Sequence, residues 1–283
     1  MIYLRNKDIL TEIHKSKNSY STYLTPDDQD YDIILPNIEK INIRSVAQAK
    51  RNRAAKIAKE DHAIAIAKNT NKKKKPRLID YQVNWKKMIK SDLVFRIMSF
   101  EHIPLQHGRV KTPKSVADHY EKLPFPPFQH VRFVDNSKES ELICVGKSHW
   151  QGDLEIGEYC KEHGDMTDTL ARMFIKLCDR YGTRSNWRGY TYNDEMRGQA
   201  ILQLVQVGLL FDESKSQNPF AYYTAIITNS FTKILNTEKK NQNIRDDILE
   251  MNDIAPSYTR QNQQANAAPT PPGGPVKHTT APT

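Results

Sequence analysis

Between Asp165 and Lys240 apolar residues return every three or four positions in three successive runs. That spacing restricts the stretch to helices packed on helices. In "DMTDTLARMFIKLCDRYG" the stripe is Leu170, Met173, Phe174, Leu177 and Cys178, and Gly182 ends it. "YTYNDEMRGQAILQLVQVGLLFDES" carries Met196, Ala200, Ile201, Leu204 and Val207, closed by Leu210 and Phe211. Its first turn holds Asp194 and Glu195, where the helix dipole favours acids. Asn218 and Pro219 then supply an N-cap and a first-turn proline for a third helix. That helix is expected to reach about Lys240, with a more polar segment continuing to Asp253.

The rest of the chain carries weaker signals. Only 38% of its 283 residues are hydrophobic and 27% are charged, so substantial exposed or disordered sequence is expected around one modest folded domain. Residues 1–43 read as a mixed N-terminal segment with an acidic patch at 25–32, and 44–77 as a basic helix and linker. Residues 78–159 read as an α+β extension, 160–250 as the compact helical domain and 251–283 as a disordered Pro/Gln/Thr/Ala-rich tail. The fold class is therefore mainly α, with a partly disordered N-terminal extension. Within the extension, "WKKMIKSDLVFRIMSF" has a helical pattern, and the prolines of "LPFPPFQ" (123–129) make a rigid extended joint. "HVRFV" (130–134) and "ELICVG" (141–146) alternate as a hairpin across "DNSKES".

The basicity is local. Twelve Lys and Arg between Arg44 and Arg77 face two acids, Glu60 and Asp61, a balance of +10 in this segment against +9 for the whole chain, which leaves about −1 elsewhere. It reads as a solvated Ala-rich helix with a lysine linker, as a sequence-independent nucleic-acid contact through counterion release, or as a nuclear-import signal. No apolar run is long enough to span a membrane, and the N-terminus lacks the apolar core of a secretory signal. A cytoplasmic location is expected. Cys144, Cys160 and Cys178 are odd in number and fit a reducing compartment.

No phosphate-cradling glycine loop, nucleophile elbow or paired-histidine helix appears, so an enzyme is not expected. Cys144, His149, Cys160 and His163 are four zinc-ligand types within twenty residues, but in an unusual order. Packing cysteines and surface histidines account for them, and no cofactor or metal is expected.

The third helix opens with "QNPFAYYTAIITNSF", where three aromatics fall within four positions. On a helical wheel Tyr223, Ile227, Phe231 and Ile234 form one core stripe with Phe220, whereas Tyr222 falls on the opposite face. Aromatics beside Asn229, Lys233, Lys239 and Lys240 suit single-stranded nucleic acid: rings stack on unpaired bases and lysines follow the phosphates.

The run "YTYNDEMRGQAILQLVQVGLL" followed by "FDES…NPFAYYTAIITNSFTKILNTEKK" resembles region 2 of bacterial sigma factors, most nearly the late-transcription sigma factors of T4-type phages. The resemblance covers about residues 165–245. It implies a phage-encoded, non-enzymatic factor in the host cytoplasm that binds bacterial RNA polymerase core and recognises and melts a −10-type promoter element. The helix before "FDE" would dock on the clamp coiled coil of the largest subunit through Glu195, Gln199 and Gln206. Phe220, Tyr222 and Tyr223 would capture unstacked bases, with Lys233, Lys239 and Lys240 at the backbone. A sliding clamp or a coactivator is a further partner that the resemblance allows.

The chain departs from that pattern in three places. Ile226 and Ile227 stand where housekeeping sigma factors carry a tryptophan pair, no helix-turn-helix pattern follows residue 245, and the chain ends "KHTTAPT" rather than in a short apolar clamp-binding tail. Two readings from other classes fit the same composition: a general nucleic-acid-binding accessory protein driven by 44–77, and a virion or scaffold protein with a basic arm.

Overall fold

The computed structural model describes residues 4–68, 76–104, 122–134 and 141–267. The lysine run at 72–75, the loop of the expected hairpin and the end of the tail lie outside these residues.

The three expected helices are present as α3 (Asp168–Gly182), α4 (Asn193–Val207) and α5 (Pro219–Met251). Thr167 caps α3 by accepting from the Leu170 N–H, and Asn218 caps α5 by accepting from the Ala221 N–H. Helix α5 runs one continuous course past Lys240, because its last turns stay helical to Met251. It begins where α4 ends and returns along it, so Phe174, Leu204, Tyr223, Ile227 and Phe231 close a common core. Gly208 is needed there: a Cβ would stand 2.7 Å from the Phe174 ring.

The N-terminal half combines helices and strands. It builds a five-stranded mixed sheet in the order β1 (Ser21–Tyr23), β5 (Leu142–Ser148), β4 (Gln129–Phe133), β3 (Val94–Ile97), β2 (Ile33–Leu35). All neighbours are antiparallel except β2 and β3. The expected hairpin is the β4–β5 pair. The helical reading of "WKKMIKSDLVFRIMSF" is corrected: only Trp85–Lys87 forms a short 3-10 turn, and Val94–Ile97 is a strand buried along its whole length. A strand covered on both faces shows no alternation, so its apolar run imitates a helix. "LPFPPFQ" is likewise corrected from joint to core, since Leu123, Phe125 and Phe128 are buried.

The two faces of β3 do different things. Phe95 and Ile97 turn toward α2 (Ile43–Lys68) and pack with Ala49 and Val131. Arg96 points the other way, as a strand's period of two requires, toward α1 (Asn6–Ser19) and the loop after α4. Helix α1 belongs to the same core as α3–α5: Ile9 and Ile13 join Phe125, Phe128, Leu170 and Tyr223. Glu12 and Ser16 of α1 also hold the cap of α3, accepting from the Thr167 hydroxyl at 3.0 Å and the Thr167 N–H at 3.0 Å. One core thus crosses the boundary that the sequence suggests at residue 160.

The tail is also ordered further than expected. Helix α6 (Tyr258–Ala267) folds against the end of α5, with Asp246 accepting from the Ser257 N–H and hydroxyl and Arg260 bridging Asp247 and Glu250.

Between α1, the sheet and the loop after α4 lies a buried polar cluster. Lys17 pairs with Glu213 at 2.7 Å and donates to the Phe211 carbonyl at 2.7 Å. Arg96 lies between the Tyr31 and Phe128 rings, 4.0 and 3.8 Å from their centroids, and donates from Nε to His130 Nε2. His130 Nδ1 donates to the Asp28 carbonyl, which fixes its neutral tautomer. Burial, then the Arg96 charge, push His14 down to about 3 and His130 well below its ordinary value, and burial pushes His102 down to about 4.

A histidine with a depressed folded pKa contributes stability that is complete above its unfolded value of about 6.5 and fades as pH falls toward the folded value. The melting temperature is therefore expected to drop between about pH 6.5 and 5, above the carboxylate range, each of the three histidines removing about 1.4 kcal/mol per pH unit. Differential scanning calorimetry at constant ionic strength checks this, and His14→Gln should weaken the dependence by about one proton. A flat profile in the native chain would contradict the burial of these rings.

Candidate nucleic-acid and polymerase interface

Helix α5 separates the three aromatics of "PFAYY". Tyr223 is fully buried: its hydroxyl donates to the Gly208 carbonyl at 2.9 Å and its ring meets Phe174 edge-on at 4.8 Å. Burial raises its pKa above the ordinary tyrosine value. The expectation that Tyr223 holds a base is therefore corrected; it is a core residue that seats the start of α5 on the end of α4. Tyr222 is half-buried, with its hydroxyl donated to the Val207 carbonyl at 3.1 Å and its ring near Phe211. Packing accounts for one edge of this ring, which wheel geometry alone left without a partner. Phe220 is 39% exposed on the opposite side of the helix, where its N–H donates to Asn6 of α1.

The polar candidates converge better than the aromatics. Asn229, Thr232, Lys233, Asn236, Thr237 and Lys240 line one shallow groove of about 500 Å³ along the outer face of α5. Tyr222 precedes Asn229 by two turns, so by helical period it stands at the head of the same stripe. Among the described residues neither Lys233 nor Lys240 has an acidic partner. Lys239 is exposed but lies a quarter-turn away, outside the groove. Thr232, Asn236 and Thr237 were missed in the sequence, where their signal was only the continuation of the Asn229–Lys233 stripe.

On α4 the expected docking residues share a face. Glu195 and Gln206 are exposed and Gln199 is half-buried. Their spacing of four and seven residues places them on one stripe, and Leu202, 59% exposed, completes it. Sequence reasoning passed over Leu202 because a leucine at helical spacing reads as core. Gln206 also borders a groove of about 1390 Å³ between the end of α4 and the 122–127 segment, together with Phe100, Leu210 and Lys215.

The four zinc-ligand types do not assemble. Cys144 directs its thiol at the Gly146 carbonyl, the buried His149 ring packs on Phe125 at 4.1 Å, and His163 meets Tyr20 edge-on. Among the described residues no three His, Cys, Asp or Glu side chains converge to hold a metal, and no helix is long and apolar enough to cross a membrane. No protein-family model matches the chain, and neither does a curated protein or a solved structure.

Truncating Tyr223 should act on stability rather than on binding. Tyr223→Ala is expected to cost about 3–5 kcal/mol, as loss of a buried aromatic does, and Tyr223→Phe about 1 kcal/mol for the lost hydrogen bond. Tyr222→Phe should cost less than about 1.5 kcal/mol. Urea unfolding midpoints rank the three variants.

Proposed function

We propose that this chain is a sigma-type transcription factor of phage origin, acting in the host cytoplasm. It binds bacterial RNA polymerase core through α4 and engages the opened strand of a −10-type element through the outer face of α5. The observation that carries the reading is the α5 groove, where two cations and two amides share one solvent-facing stripe with Tyr222 at its head. Lysines there neutralise phosphates, and amide and threonine side chains supply donors and acceptors to base edges. Phe220 offers a second, separate ring at the start of the helix, while Tyr223 supports the edge from beneath.

Two further features support it. The order of helix, "FDE" turn, capped "NP" start and long helix carrying the basic "EKK" run folds as one packed unit. The face of α4 carrying Glu195, Gln199, Leu202 and Gln206 mixes one exposed apolar anchor with polar side chains, which fits a docking surface. Ile227 is core and Ile226 half-buried against it, so the position of the tryptophan pair of housekeeping factors is given to packing. Melting would then rest on capture: binding unpaired bases draws the duplex equilibrium toward the open state without covalent chemistry.

The test is capture of core polymerase by the purified chain, followed by permanganate footprinting on a promoter the factor serves. Glu195→Arg is expected to reduce core capture about ten-fold or more, whereas Lys233→Gln/Lys240→Gln should retain capture and lose opening. A chain that ignores core polymerase yet binds single strands tightly would be an accessory nucleic-acid binder instead.

A further inference from the structure

Helix α2 buries Ser45, Ala49, Ala54 and Ala58 and exposes Arg44, Gln48, Arg51, Ala55 and Lys59. Those five positions follow at steps of four, three, four and four, so they form one straight stripe about 22 Å long. The other cations between Arg44 and Lys59 are engaged. Arg53 and Lys56 face the buried Asp32 carboxylate at 3.7 and 3.9 Å, Lys56 donates to the Tyr31 carbonyl, and Lys50 donates to the Met88 carbonyl at 2.5 Å. Arg44 and Lys59 have no acidic partner among the described residues. Arg51 stacks on Trp85 at 4.8 Å, and Lys86 lies over the same ring at 5.9 Å. Lys86, Lys87 and Lys90 continue the charge from α2 onto the segment packed beside it.

We infer that this face is a second nucleic-acid site, which binds the phosphate backbone of duplex DNA without reading sequence. The choice of DNA over an RNA duplex rests on the promoter reading. Trp85 is taken by two cations, so it offers no ring for unpaired bases, and phosphates are the groups that the stripe can meet. Between Arg44 and Lys59 the stripe positions are Gln48, Arg51 and Ala55, which gives no large apolar side chain for a bilayer to bury. Glu60 and Asp61 follow Lys59 and leave the stripe, so no acid interrupts it. A factor that grips duplex at α2 and single strand at α5 holds promoter DNA on both sides of the melted junction.

The test uses the full chain and a fluorescein-labelled DNA duplex of arbitrary sequence, followed by anisotropy between about 50 and 200 mM salt. Arg44→Gln/Arg51→Gln/Lys59→Gln is expected to weaken binding about ten-fold or more and to reduce the salt slope by about 0.9 for every phosphate no longer neutralised. Because Arg51 also holds Trp85, Arg44→Glu/Lys59→Glu provides a second variant that keeps the stack and should show the same weakening. The α2 variants should still capture core polymerase, so failure here is separable from failure of the sigma reading. An unchanged salt slope in both α2 variants would overturn the site. So would equal or tighter charge-dependent binding to an RNA duplex or to phosphatidylserine vesicles.

Discussion

The loop after α4 is anchored by a buried ion pair, and the placement of both candidate faces depends on it. Lys17 comes from α1 and Glu213 from the turn that joins α4 to α5, and their charged atoms meet at 2.7 Å with both side chains almost wholly inaccessible. Removing water from two charges is expensive, and a buried pair with only its own attraction would be a poor stabiliser. Here the ammonium also donates to the Phe211 carbonyl, so Lys17 fixes two points of the turn at once. Burial acts to raise the Glu213 pKa, but the nearby cations, Lys17 first, outweigh it and hold the carboxylate ionised. What such a pair contributes is one geometry: the end of α4 cannot rotate relative to α1 without exposing an unpaired buried charge.

Arg96 adds a second cation to the cluster, and its accommodation explains the chemistry around it. Two aromatic faces enclose the guanidinium, and two histidines accept from it or lie beside it. An enclosed guanidinium requires its histidine neighbours to stay neutral, and both are driven far below their ordinary pKa. The sheet therefore serves the helical unit as a charged floor as well as a packing layer. Cutting the chain near residue 160 would remove Ile9, Ile13, Phe125 and Phe128 from the core and leave Glu213 buried without its partner.

The helices were legible because their signals are local. Asn218, Pro219 and the stripes of α3 to α5 act within one or two turns, and each appears where its spacing placed it. Of the sheet only the β4–β5 hairpin was, because β1 and β2 are three residues long and β3 is buried on both faces, so neither alternation nor length marks them. Proline in "LPFPPFQ" speaks of backbone stiffness and is silent about burial; Phe125 and Phe128 beside the prolines carried that information. For the candidate site, the wheel separated Tyr222 from Tyr223 but could not say that the loop after α4 would cover one edge of Tyr222 and all of Tyr223. Both hydroxyls end on consecutive carbonyls, Val207 and Gly208, at a turn whose position depends on Lys17, far earlier in the chain.

Charge shows the same limit from another side. Counting twelve cations between residues 44 and 77 locates a basic segment but does not distinguish working charges from structural ones. Arg53 and Lys56 are used to neutralise Asp32, whose burial raises its pKa, and Lys50 is tied to a backbone carbonyl. What remains available is set by helical phase: Arg44, Arg51 and Lys59 are exposed, whereas Ala49 packs into the core on the sheet. On α5 the same rule applies, with Tyr223, Ile227 and Phe231 claiming the inner face and leaving Lys233 and Lys240 outside. In both helices the core decides which cations stay exposed, so a candidate interface is a by-product of packing rather than of composition.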